Sequence, residues 1–438
     1  MAKSPALLQL ADFPVTQVRL GKQTRYSGGT LEINAEEVRA IALADKRIEA
    51  AKVELVLPGE KTRIFGIRDV VEPRVKVSGP GQVFPGVLGP VEPVGEGVDH
   101  RLTGVRLMAV ADYEGTIRSG VQVERSAVLD MWGPGAEVSE YSRDIAVVLV
   151  LALSPGLPEW EAHTVVQQAE YKVGRRLAEA TVGLEPARVE TFGLAGDVPA
   201  SLPRVVFIQS VITNPDAPHT GVGYYGMPIR ESLNTLVYPN EILDGILTPN
   251  CIRQVGHRPN TYDWMNHPIV LGLHREHGQT MNFLGVILQR IQFEAAVGKE
   301  ITAQNAAGMA EILGADHALI SWMGGGNAFV DVMLTIRALE KRGIKTVLLT
   351  YEHPGPEGAE MPFLFSVPEA DAVVSTGNYA APLHLPEPER VVGPGDSIRA
   401  GPGFPEHLAK AALTLDSRDE YLGGADMWGA DSRTVQEY

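Results

Sequence analysis

Ala318-Leu319-Ile320-Ser321-Trp322-Met323-Gly324-Gly325-Gly326-Asn327-Ala328 is the stretch whose reading decides the fold. A short apolar run stops at three glycines, and from Ala328 to Lys341 the composition and apolar spacing are helical. Outward from this strand–turn–helix unit the alternation repeats. Phe283 to Leu288 reads as a strand, Thr302 to Leu313 as a helix, Lys345 to Thr350 as a strand and Ala372 to Ser375 as a last buried strand. Upstream, Ile145 to Leu153 is a continuous apolar run, Glu159 to Ala180 is helical in composition and length, and Arg204 to Ile208 is a further run. Uninterrupted apolar strands alternating with helices point to a mostly parallel, doubly wound α/β sheet covered on both faces.

Residues 1 to 135 read differently. Short runs such as Val53 to Leu57 are separated by Pro/Gly punctuation, which predicts a β-rich N-terminal domain. Asn34 followed by Glu37 is a capping-box-like start for one early helix, with Val38, Ile41, Ala42 and Ile48 as its apolar stripe. From Ser78 to Gly97 turn formers are so dense that an ordered loop without helix is expected. The division predicted is 1–135 β-rich, 136–250 a first α/β segment, 251–383 a second carrying the glycine turn, and 384–438 an extended Pro/Gly-rich tail that wraps the surface or a partner.

Composition removes several function classes. The chain of 438 residues has a net charge of −16, which repels phosphate backbones and anionic membranes, so nucleic acid and membrane surfaces are not expected partners. No run approaches a membrane span, and the N-terminal residues lack a secretory signal's apolar core, so a cytoplasmic protein is expected. Cys251 is the only cysteine, which excludes intrachain disulfides and Cys-rich metal sites.

Four features can carry chemistry. Gly324, Gly325, Gly326 and Asn327 place permissive backbone and free helix amides at a strand's carboxyl end, suited to a carboxylate. The turn is neither a Walker loop nor a G-x-G-x-x-G fingerprint, so no nucleotide cofactor is expected. Thr376, Gly377 and Asn378 end the last strand in the same manner. Asn250-Cys251 can undergo an N-to-S acyl shift, after which β-elimination and hydrolysis cut the chain and leave a pyruvoyl group; a lone cysteine is also commonly a small buried hydrophobe. His257, His267, His274 and His277 are close in sequence, and the last two share a face if helical, as metal ligands do; a metal-free structural role is the alternative, and no metal is expected. His219, near Tyr224 and Tyr225, adds a polar cluster on a loop.

Val70 to Lys76 (VVEPRVK), Phe84-Pro85-Gly86, Asp130 to Ala136 (DMWGPGA), Pro239 to Gly245 (PNEILDG), Thr261-Tyr262-Asp263, Gly324 to Asn327 and Val374 to Asn378 follow one another along the chain. Together, and in this order, they resemble one family, the component B proproteins of the glycine, sarcosine and betaine reductases, relatives of the D-proline reductase proprotein. The resemblance implies self-cleavage between Asn250 and Cys251, a pyruvoyl group made from Cys251, and substrate contacts from the glycine turn, Thr376, Gly377, Asn378, Tyr262, Asp263 and His219. It also implies a hetero-oligomer in which a thiol- or selenol-bearing subunit attacks the carbon bearing nitrogen of a small amine or amino acid. Trp322 and Met323 stand where the family typically has an acidic residue, which implies a more apolar pocket. A ketone condenses with a primary or secondary amine, but a quaternary ammonium has no proton to lose. The expected function is therefore the substrate-binding component of a C–N-cleaving reductase. Its rivals are a metal-dependent hydrolase or lyase using His267, His274 and His277, and a non-catalytic scaffold subunit.

Overall fold

Val105–Ala111 and Ile145–Leu153 are apolar at nearly every position, and a strand of that kind needs cover on both faces. In the computed structural model they lie side by side, parallel, at the centre of a six-stranded sheet. The structure describes residues 6–113, 115–117, 127–194, 196–212, 221–229, 233–250, 259–291, 295–323, 326–352, 365–378, 381–398, 406–416, 418, 421–429 and 436–437, with 250, 352, 378, 436 and 437 described by backbone only. Thr62–Val71 and Ile48–Val56 flank the central pair antiparallel, and Ala127–Asp130 and Arg390–Val392 complete the sheet along Thr62–Val71. Alternate residues serve two cores. Leu107, Leu149, Val165 and Leu177 pack the sheet against the long helix Glu159–Ala178. Val110 and Val148 face the other way, onto Leu385, Leu413 and Tyr421.

The expected continuation of Ile145–Leu153 into the later parallel sheet is thus corrected: the run belongs with the N-terminal strands. An apolar run reports burial on both faces without reporting which sheet supplies it. The early helix is also shorter than its stripe, ending at Ala42, while Ile48 opens a strand. Its cap is as read, Asn34 Oδ1 accepting from the Glu36 and Glu37 amides at 3.0 and 3.3 Å, but Glu37 turns away to Thr24 and Arg176. Residues 79–96 hold neither helix nor strand.

The second large sheet has seven strands in the order Asn234–Val237, Asn282–Ile291, Arg204–Ile212, His317–Trp322, Lys345–Glu352, Val373–Asn378, Gln436–Glu437. The middle five are parallel and the two outer ones antiparallel. Helices occupy both faces. Gln209 and Gln289 point to opposite sides, the first reaching His267 ahead of the helix Pro268–Glu276 and the second reaching Thr335 on Ala328–Glu340. The chain is therefore mixed α/β with mostly parallel and mixed sheets, as read. No helix among the described residues is long and apolar enough to cross a membrane.

Residues after 384 contribute structure to both large sheets. A buried Arg63–Asp130 pair, bonded at 2.7 and 2.9 Å, anchors them: Arg63 also donates to the carbonyls of Pro386, Ala409 and Ala411, and Tyr421 bonds the Asp130 backbone.

Candidate active site at the end of strand Leu247–Asn250

Leu247–Asn250 pairs antiparallel with Gly221–Tyr224, Asn250 opposite Gly221. The carbonyl of Pro249 points at the long helix. There His163 Nε2 lies 3.0 Å away and Gln167 Nε2 donates at 2.7 Å. Residues four apart share a helix face, so one carbonyl receives two side-chain hydrogen bonds from successive turns. Burial holds His163 down to about 4, so it is neutral at pH 7.

One turn on, Glu170 and Tyr171 continue the polar stripe. Asp69, fully buried on Thr62–Val71, accepts from the amide and hydroxyl of Thr261 at 2.9 and 2.6 Å, from the Val70 amide, and from Gln167. Thr261 spends its proton on Asp69, so the Tyr171 hydroxyl donates to Thr261, at 2.6 Å. Burial pushes Asp69 up to about 6, against these donors. It pushes Glu170 well above the carboxylate range, with the charge of Asp69 adding to the shift. Glu170 Oε1 accepts from the Ala109 amide while Oε2 has no partner among the described residues. Asp69 ends a hydroxyl relay beside the Pro249 clamp, and the Glu170 carboxyl lies on the same helix face. Such a set can fix a peptide, store a proton and orient a hydroxyl chain.

Of the residues named from the sequence, Cys251, His219, His257, Gly324 and Gly325 lie outside the described residues, and Asn250 and Asn378 are placed by backbone only. Tyr262 stacks on Arg106, whose guanidinium lies 4.0 Å from that ring and 4.3 Å from the ring of Tyr141. Asp263 is half-buried, closes a reciprocal cap with Asn260 and accepts from Tyr141; the desolvation that remains pushes it up to about 7. Asn327 presents its carbonyl to Lys299 at 3.3 Å, and Lys299 pairs with Asp331. Gly326 and Gly377 take φ values of +58° and +103°, which their glycine identity permits.

The histidines do not converge. His267 bonds Gln209 at 3.2 Å and stacks on Trp428, His274 lies between Phe192 and Phe283, and His277 accepts from the Phe283 amide. Among the described residues no group of His, Cys, Asp and Glu can hold a metal. The helix Pro268–Glu276 separates His267 from His274 by two turns, which removes the geometric basis of the metal-dependent rival.

The sequence reading missed Asp69, His163, Gln167, Glu170 and Tyr171. A signal was present: His163, Gln167 and Glu170 recur at helical spacing on the face that otherwise carries Val166, Val173 and Leu177.

The model of the glycine/sarcosine/betaine reductase component B subunits matches residues 6–425. The chain belongs to this family. Relatives of component B include the glycine reductase complex component B subunits alpha and beta of Acetoanaerobium sticklandii, 33% identical over 88% of each chain. The sarcosine reductase complex component B subunit alpha of Peptoclostridium acidaminophilum is 32% identical over 89% of this chain and 90% of its own. The betaine reductase complex component B subunit alpha of the same organism is 32% identical over 88% and 87%. No solved structure gives a significant match.

In this family member, three of the quoted motifs, Val70 to Lys76, Phe84 to Gly86 and Pro239 to Gly245, meet one another where the two halves of the chain join. Arg74 donates to Glu72, the Leu243 carbonyl and Asn266, while Lys76 bridges Asp99 and Asp244. Phe84 stacks on Tyr171 at 3.9 Å and covers Gly245. They hold the long helix, and with it His163 and Gln167, against the strand that ends at Asn250.

Proposed function

We propose that the chain is the substrate-binding component of a multi-subunit reductase that cleaves the C–N bond of glycine, sarcosine, betaine or a related amine, and that it makes its own carbonyl group at Cys251. In this reading the Cys251 thiol attacks the Asn250 carbonyl carbon, and the peptide C–N bond breaks to leave a thioester and a free amine. Loss of the Cys251 α-proton expels the sulfur, and hydrolysis releases ammonia and leaves a pyruvoyl terminus. Hydrolysis of the Asn250 thioacid to a carboxylate releases hydrogen sulfide; two waters are consumed in all. The pyruvoyl group supplies an electrophilic ketone to a substrate amine.

The observation that carries the reading is the clamp on Pro249. The residue before Asn250-Cys251 has its carbonyl fixed by His163 and Gln167 inside a buried network of Asp69, Thr261, Tyr171 and Glu170. These groups fit an autoprocessing site: neutral donors restrict the strand, and a carboxyl whose pKa burial raises, Glu170, lies on the same helix face. In the same reading the parallel strands form a doubly wound sheet, and the protein works in the cytoplasm. With one cysteine, the chain takes its reducing nucleophile from a thiol- or selenol-bearing partner.

The test is reconstitution with such a partner and an electron donor, offering glycine, sarcosine and betaine separately. Release of ammonia, methylamine or trimethylamine that requires both proteins is the expected result. No release from any of the three, with the partner active toward a known component B, overturns it.

A further inference from the structure

A buried carboxylate that takes several hydrogen bonds decides which way its donors face. Asp69 is such a group, fully buried on Thr62–Val71. Its Oδ1 accepts from the amides of Val70 and Thr261, both at 2.9 Å, and its Oδ2 accepts from the Thr261 hydroxyl at 2.6 Å. Two donors fill the lone pairs of Oδ1, so the N–H that Gln167 gives to this carboxylate falls on Oδ2.

Gln167 is the donor with a second task. Its one side-chain nitrogen carries two N–H groups, of which one goes to the Pro249 carbonyl at 2.7 Å and the other to Asp69. An acceptor at Asp69 therefore keeps that nitrogen, rather than the amide oxygen, turned toward Pro249. An asparagine in its place cannot do so. The two backbone amides, which cannot reverse, hold its oxygen at the Oδ1 position, and its own N–H groups then face Gln167. Gln167 has to turn its oxygen inward, where it opposes the Pro249 carbonyl oxygen against oxygen.

Thr261 answers differently. Its hydroxyl can accept from the new N–H and donate to Tyr171, 2.6 Å away, so its bonds reverse in direction without falling in number. The two side chains that Asp69 orients stand on either side of Asn250-Cys251: Gln167 grips Pro249 before it, and Thr261 opens a helix after it.

We infer that Asp69 is a positioning residue for the self-cleavage, acting on the upstream flank of the Asn250–Cys251 bond through the Gln167 amide. The inference rests on the reading of the chain as self-processing, and it assigns the orientation of the Pro249 clamp to a residue that does not touch Pro249.

Hydrogen exchange followed by mass spectrometry, on the full chain carrying Cys251→Ala, reads the clamp apart from the chemistry. In that background Asp69→Asn is expected to speed exchange of the Leu247–Asn250 amides by about tenfold, the effect of one lost hydrogen bond, while the Thr261–Met265 amides keep the parent rate. Gln167→Leu is expected to do the same. Combining the two is expected to do no more than either alone, because they act in series. In chains that retain Cys251, all three variants are expected to be cut at one common rate, about tenfold below the parent. A carboxylate that only supports the fold would speed exchange on both flanks and add its effect to that of Gln167→Leu. Parent-like exchange at Leu247–Asn250 in folded Asp69→Asn, or additive effects in the combined variant, overturns the assignment. Should Asp69→Asn not fold, Thr261→Val tests the same division from the other flank: faster exchange is expected at Thr261–Met265 alone, and a rise at Leu247–Asn250 overturns it. Cleavage and exchange are read separately, so absence of any cut refutes the self-cleavage reading and absence of the exchange contrast refutes this one.

Discussion

A chain carrying His163→Phe together with Gln167→Leu is expected to stay uncut at Asn250-Cys251 under conditions in which the parent is cleaved, its rate lower by about a hundredfold or more. Both substitutions keep apolar bulk on the long helix and remove the only two side-chain donors to the Pro249 carbonyl among the described residues. Without them the strand Leu247–Asn250 is no longer fixed where it ends, and an intramolecular attack loses its near-attack geometry after a displacement of about 1 Å. The single variant Gln167→Leu retains the His163 bond and is expected to fall between parent and double variant. His163 is held neutral down to about pH 4, so its titration does not shape the cleavage rate between pH 5 and 8. A time course of chain cleavage by gel and intact mass, beside a melting curve, checks all of this. Parent-like cleavage by the folded double variant removes the clamp from the mechanism.

Replacing Asp69 by Asn is expected to change the pH dependence of stability. Asp69 titrates near 6 in the folded chain because burial outweighs its hydrogen bonds, against an ordinary carboxyl value of 3.8. Between those values the folded state holds a proton that the unfolded state has released, so folding stability declines as pH rises from about 4 to 7. Asn cannot titrate and lacks this slope. The stability advantage of the parent over Asp69→Asn should therefore shrink by about 2–3 kcal/mol across that interval. Urea denaturation of both proteins at pH 4, 5.5 and 7 measures it. Parallel stability curves for the two proteins contradict the assignment of a perturbed carboxyl at this position.

Much of the seven-stranded sheet was legible because its strands are short, apolar and punctuated. Phe283 to Leu288, Ala318 to Trp322 and Lys345 to Thr350 all fall inside observed strands, and the helix after Asn327 begins at Ala328. Periodicity reports local conformation and burial, which these elements satisfy within their own sheet. It carries no information about which sheet accepts a strand buried on both faces, and so Ile145–Leu153 was misplaced. The role of residues after 384 was hidden for a related reason: Arg63 reaches carbonyls more than 300 positions away. Nothing local in Pro386 or Ala409 announces that. His267, His274 and His277 are close in sequence, yet a helix sets His267 and His274 two turns apart, the one against Phe207 and the other against Phe283. The converse holds at the clamp, where Asp69 meets Thr261 and His163 meets Pro249 across wide gaps in sequence, and only after folding.

The processing chemistry is tested most directly by the mass of the polypeptide around residue 251, in protein isolated with its native assembly, before and after borohydride treatment. The expected result is two polypeptides, one ending in Asn250 and the other opening with a pyruvoyl group in place of Cys251, which borohydride reduces to a lactoyl group. A single full-length chain whose Cys251 thiol remains alkylatable contradicts the proposal.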